Sequence, residues 1–137
     1  MIKYALDYTE ELLQKCPSST QGLLTKTTLL LNMGSYESCI FLCDSMMEAG
    51  DTIPETRLNM GLAYFNMAVR MDKNQQRFRS NRERMMGYYQ KARHYLEEYR
   101  QSRPQDTEHW ALPLYTIYLN LNMGKEFDEI DRLLRRR

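Results

Sequence analysis

Apolar residues along this chain recur at steps of three and four, and no stretch alternates apolar with polar residues between turn signals. That period predicts an all-α protein. Helices are expected near 3–15, 19–33, 36–49, 54–72, 76–102, 109–122 and 126–135. Tyr36, Ile40, Cys43 and Met47 form one stripe, and Phe127, Ile130, Leu133 and Leu134 form a second. Gly34 is expected to end a helix, with Ser35 capping the next, and Gly124 to end another. Pro17, Pro54 and Pro104 fall between helix pairs, where a proline costs no internal hydrogen bond.

The tetrapeptide Leu-Asn-Met-Gly occurs at Leu31–Gly34, Leu58–Gly61 and Leu121–Gly124. Repetition in so short a chain points to stacked copies of one supersecondary unit. The outer two copies end predicted helices, whereas the middle one falls inside a helix. The register of glycines and prolines is therefore better evidence of repetition than the string itself.

In that register the chain resembles the tetratricopeptide repeat, a helix–turn–helix unit of about 34 residues. Met60-Gly61-Leu62-Ala63-Tyr64 matches the signature of the first helix. Gly87-Tyr88-Tyr89-Gln90-Lys91-Ala92, followed by Leu96, Tyr99 and Pro104, matches the second. Gly34-Ser35-Tyr36-Glu37-Ser38-Cys39, with Cys43 and Met46, matches with cysteine in place of alanine. Ala5, Leu12 and Pro17 fit only the second half of a unit. Trp110 opens a degenerate last unit, where Gly124-Lys125-Glu126-Phe127 is one residue too long. The resemblance implies a right-handed superhelical stack of antiparallel helix hairpins in one domain. Its parts would be a half unit at 3–17, a unit at 20–53, a unit at 54–106 with an insertion near 68–86, and a degenerate unit at 107–137. The hairpin bends are expected at Gly34, Gly87 and Gly124.

The insertion follows from spacing. Gly61 and Gly87 are 26 residues apart, where the family has about seven. No proline or glycine interrupts residues 70–86. Two lengthened helices that reverse near Asn74 would project an arm roughly 13–15 Å beyond its neighbours. Met71, Phe78, Met85 and Met86 would line its seam. A mobile loop over 72–82 is the competing reading.

With 137 residues, 42% of them apolar, the chain can build one real core. Net charge is +1, and only residues 70–103, with 10 basic and 4 acidic groups, are strongly positive. Arg77, Arg79, Arg82 and Arg84 there have one interleaved aromatic, Phe78. That argues for a solvated arm rather than a nucleic-acid site. No apolar run approaches the ~20 residues of a membrane span.

Cys39 and Cys43, four apart on a helix, fall at the small core positions of the repeat and suggest packing rather than metal or redox chemistry. Cys16 sits at a helix end with no activator in sight. His94 reads as a solvated residue among Arg93, Glu97 and Glu98. His109 opens a helix expected to hold Pro113 within its first turn or so. No catalytic constellation, metal site or cofactor motif emerges, so a non-enzymatic role is expected.

The resemblance implies that first helices line a concave groove. By register this inner face comprises Leu24, Thr28 and Leu31, then Leu58, Leu62, Phe65 and Asn66, then Leu112, Tyr115, Leu119 and Asn122. The face is mostly apolar, unlike those of family members that clamp a peptide carboxylate. It would accept a protein or peptide segment. Otherwise it is covered by the arm or by a second copy of the chain, giving a homodimer or a self-assembling subunit. A second-type helix at 3–15 without its partner suggests the C-terminal portion of a longer, bacterial-type repeat protein, or a chain capped by another. Localisation is cytoplasmic by default, and periplasmic or exported if the chain derives from a longer precursor.

Overall fold

The computed structural model describes residues 2–15, 19–74 and 79–136. They form α1 (Ile2–Lys15), α2 (Thr20–Asn32), α3 (Tyr36–Glu48), α4 (Pro54–Asn74), α5 (Arg79–Ser102), α6 (Thr107–Asn120) and α7 (Gly124–Arg135), with no strand among them. The period-of-3.6 reading therefore holds throughout, with shifts of a few residues at the ends.

Three helices end in the same way. After α2, Ser35 N donates to Leu30 O (2.9 Å) and Gly34 N to Leu31 O (3.1 Å), with Gly34 at φ 80°. After α3, Asp51 N donates to Met46 O (3.0 Å) and Gly50 N to Met47 O (3.0 Å), with Gly50 at φ 100°. After α6, Met123 N donates to Tyr118 O (2.9 Å) and Asn122 N to Leu119 O (3.3 Å), with Asn122 at φ 56°. Each turn satisfies two orphan carbonyls through a left-handed residue. The repeated tetrapeptide thus plays three local roles. Its fourth residue is left-handed at Gly34, its second is left-handed at Asn122, and its middle copy lies inside α4.

Several expectations need correction. Gly124 does not end a helix: it is the first residue of α7, because Asn122 has already made the turn. Ser35 occupies the cap position of α3, but its side chain makes no capping bond. The side-chain cap found at α2 is Ser19, whose Oγ accepts from Gly22 N at 3.1 Å. Gly87 lies well inside α5, as its ninth residue, and not at a bend. Pro113 is the seventh residue of α6, not part of its first turn, so the carbonyl of His109 loses its amide partner.

Tertiary contacts order the helices. α2 touches α4 and α4 touches α6, while α3 packs on α2 and α4, α5 on α4 and α6, α1 on α2, and α7 on α6. The even-numbered helices form a contiguous row. Among the described residues no odd-numbered helix packs on another.

α4 has 21 residues and α5 has 24, against 12 to 14 for the rest. Residues 72–74 and 79–82 are helical, so the loop reading fails there. Met85 is buried, and Met71 and Met86 pack against the core. The expected reversal point, Asn74, is the last residue of α4, and the seam residue Phe78 lies outside the described residues.

Two apolar clusters hold the helices together. The larger joins α4 through α7 around Tyr89, Ala92, Leu96, Trp110, Leu114, Ile117, Tyr118 and Ile130. The smaller joins α2, α3 and α4 around Cys39, Cys43, Met60 and Ala63. α4 and α5 pack tightly at Gly61: a Cβ there would sit 2.8 Å from Leu96 Cγ.

Candidate docking surfaces

The inner-face residues do not share one environment. Leu58 is buried in the larger cluster, beneath the surface rather than on it. Leu62, Phe65 and Tyr115 are half-buried and pack on that cluster, with Tyr115 4.6 Å from Phe127 and Phe65 6.4 Å from Tyr89 between ring centroids. Leu31 packs on the smaller cluster, and Leu24 is half-buried. Asn66 is half-buried, its amide turned back to Leu62 O at 2.9 Å. Thr28 is exposed and accepts from Asn59 Nδ2 at 3.1 Å. Leu112 and Leu119 are 63% and 57% exposed. Asn122 is exposed too, but it lies in the turn beyond α6. Leu112 and Leu119, with the half-buried Tyr115 between them, leave an apolar strip on α6 open to solvent.

A larger concavity lies elsewhere. Among the described residues the α3 and α5 backbones stay apart, and a groove of about 720 Å³ opens between them over α4. Ile40, Met60, Tyr64 and Met67 line it, together with Tyr88 and Tyr95 from α5 and Phe41 from α3. Phe41 is 76% exposed. The tyrosines form a continuous aromatic surface, with Tyr64 stacked on Tyr95 (6.3 Å) and tilted against Tyr88 (5.9 Å). Burial holds the hydroxyls of Tyr64 and Tyr95 above the usual phenol range, and the Asp44 carboxylate adds to this.

The rims differ in charge. α3 contributes Glu37, paired with Arg70 at 3.2 Å, and Asp44, which has no ion pair among the described residues. Arg70 also lies over the Tyr36 ring at 5.1 Å. α5 contributes Lys91, poised over the Tyr64 ring at 5.3 Å, and His94, 3.5 Å from Glu98. None of the residues expected on the inner face lines this groove. The exposed Phe41 and the spacing of Tyr88 and Tyr95 on one face of α5 were the available sequence signals.

The chemically suggestive side chains serve packing and capping. Cys39 and Cys43 are wholly buried, and Cys39 Sγ donates to Thr27 O at 3.4 Å. The bond with Cys39 and then burial push the Cys43 thiol well above its ordinary range, so it stays protonated. His109 Nδ1 lies 2.7 Å from Asp106, whose carboxylate also accepts from Tyr99 Oη. Those two bonds, Tyr99 first, hold Asp106 below the usual carboxylate range. Trp110 Nε1 donates to Arg103 O (3.1 Å), and Arg100 stacks on the Trp110 ring at 4.5 Å. Both groupings close the α5–α6 turn. Among the described residues no group of three His, Cys, Asp or Glu is placed to hold a metal ion, and no helix is long and apolar enough to cross a membrane. Arg82 and Arg84 are exposed on α5, while Cys16, Pro17 and Arg77 lie outside the described residues. No family model, curated protein or solved structure matches the chain.

Proposed function

We propose that this chain is a non-enzymatic tetratricopeptide-like scaffold, a right-handed stack of helix hairpins that binds a segment of a protein. Three features support the family resemblance. The first-type helices α2, α4 and α6 form the contiguous row while the second-type helices stand apart. Gly61 sits against Leu96 where the repeat needs the smallest residue. Ala92 is wholly buried at the small position of the second helix.

The open aromatic groove between α3 and α5 carries the binding reading. Its aromatic walls and charged rims suit an amphipathic helix. The proposed binding surface is therefore this groove rather than the inner face implied by the resemblance.

Pull-downs from native extract with wild type, Phe41→Asp and Leu112→Asp test this. Both residues are largely exposed, so both variants should keep the fold. Loss of partner only with Phe41→Asp supports the groove. Loss only with Leu112→Asp moves binding to the even-helix strip. Full retention by both variants would sink the proposal.

A further inference from the structure

α1 carries a second unexplained surface. Tyr4, Tyr8 and Leu12, one turn apart in succession, are 81%, 68% and 38% exposed. Thr9 is buried and Leu6 and Leu13 half-buried on the opposite side, where α1 meets α2. A solvent-facing stripe of two tyrosines and a leucine is a docking face by composition. Asp7 and Glu11 flank it, and Lys15 closes its C-terminal end; none of the three has an ion pair among the described residues.

We propose that the α1 stripe of one copy occupies the α3–α5 groove of a second copy, an inference that rests on the groove being a docking site. The dimensions agree: Tyr4 to Leu12 covers about 12 Å of helix, and Glu37–Asp44 and Tyr88–Tyr95 each frame about 10.5 Å of groove. The charges agree as well. The Asp7 and Glu11 flank meets the Lys91 rim, and Lys15 meets Asp44, which has no ion pair among the described residues. The apolar stripe covers Phe41 and the tyrosine wall. A two-fold arrangement that seats each copy's stripe in the other copy's groove closes the association at the dimer.

Sedimentation velocity over a dilution series from high to low micromolar tests the inference, with wild type, Tyr8→Glu, Phe41→Glu, Lys91→Glu, Glu11→Lys and the Glu11→Lys/Lys91→Glu double variant. The wild type should dimerise. Tyr8→Glu and Phe41→Glu should each remain monomeric while keeping the wild-type helical melt. Each single charge reversal should weaken the dimer about two- to fivefold, and the double variant should recover that loss. A wild type that stays monomeric overturns the inference. So does a dimer that survives Phe41→Glu, or a double variant no better than the singles. A monomeric wild type whose extract partner is still lost with Phe41→Asp rejects self-docking alone and leaves the groove reading standing.

Discussion

The two cores are built differently. Around Leu96, Leu114, Ile117 and Ile130 the α4–α7 interior is apolar. Tyr118 Oη donates to Glu97 at 2.6 Å, Trp110 donates to Arg103 O, and Arg93 Nε is buried without a hydrogen-bond partner among the described residues. The α2–α3–α4 interior is laced with polar groups. Asn59 Nδ2 donates to Thr27 Oγ1 at 2.9 Å, Thr27 Oγ1 donates to Leu24 O at 2.6 Å, and Cys39 donates to Thr27 O. Apolar contact is non-directional and rewards area. Buried hydrogen bonds reward one alignment and penalise others. The first core should therefore supply most of the stability, and the second should fix where α2 and α3 sit on α4.

Ala92→Arg tests the apolar core most severely. Ala92 has no exposed surface, and an arginine there must displace α4 or α6. The variant should lose its cooperative thermal transition, and a wild-type melt would show that the α4–α5–α6 packing is misplaced. Ile117→Ala comes next, with an expected loss of about 2–5 kcal/mol in urea unfolding. Asn59→Ala strips the polar core of its link and should cost about 1–3 kcal/mol. It should also raise amide exchange in α2 far more than in α6. Equal effects on both helices would erase the distinction between the cores.

Alkaline pH gives a further contrast. Burial, then the bond to the Glu97 carboxylate, hold the Tyr118 hydroxyl well above its ordinary value. The folded state therefore keeps its proton while the unfolded state loses it above about pH 10. Stability is complete below that point and falls as pH rises toward the folded value. Tyr118→Phe should flatten the decline in melting temperature above pH 10. Smallest of all is Glu37→Ala. Its pair with Arg70 is exposed on both sides, and removal should change stability by less than about 1 kcal/mol.

Helix content was legible because the stripes at Tyr36–Met47 and Phe127–Leu134 have a period no strand could use. The lengthened middle hairpin was legible from glycine spacing. Turn chemistry was less so. Gly124 looked like a helix end, yet Asn122 can also take the left-handed conformation and lies two residues earlier. Pro113 misled in the opposite direction, because α6 is held by Trp110, Leu114 and Ile117 firmly enough to carry a missing amide. Leu58 looked like a surface residue because register alone does not reveal how deeply α5 and α6 bury one side of α4. The groove escaped for a related reason. It exists through the separation of α3 from α5, which is a property of three helices together rather than of any one stripe.

The two wholly enclosed cysteines give the protein a built-in stopwatch. A thiol reagent can reach Cys39 and Cys43 only after α3 lifts from α2 and α4, so their alkylation rate in native buffer measures how often that end of the molecule breathes. A substitution at Asn59 that loosens α2 from α4 would then be read directly as faster alkylation of those two thiols.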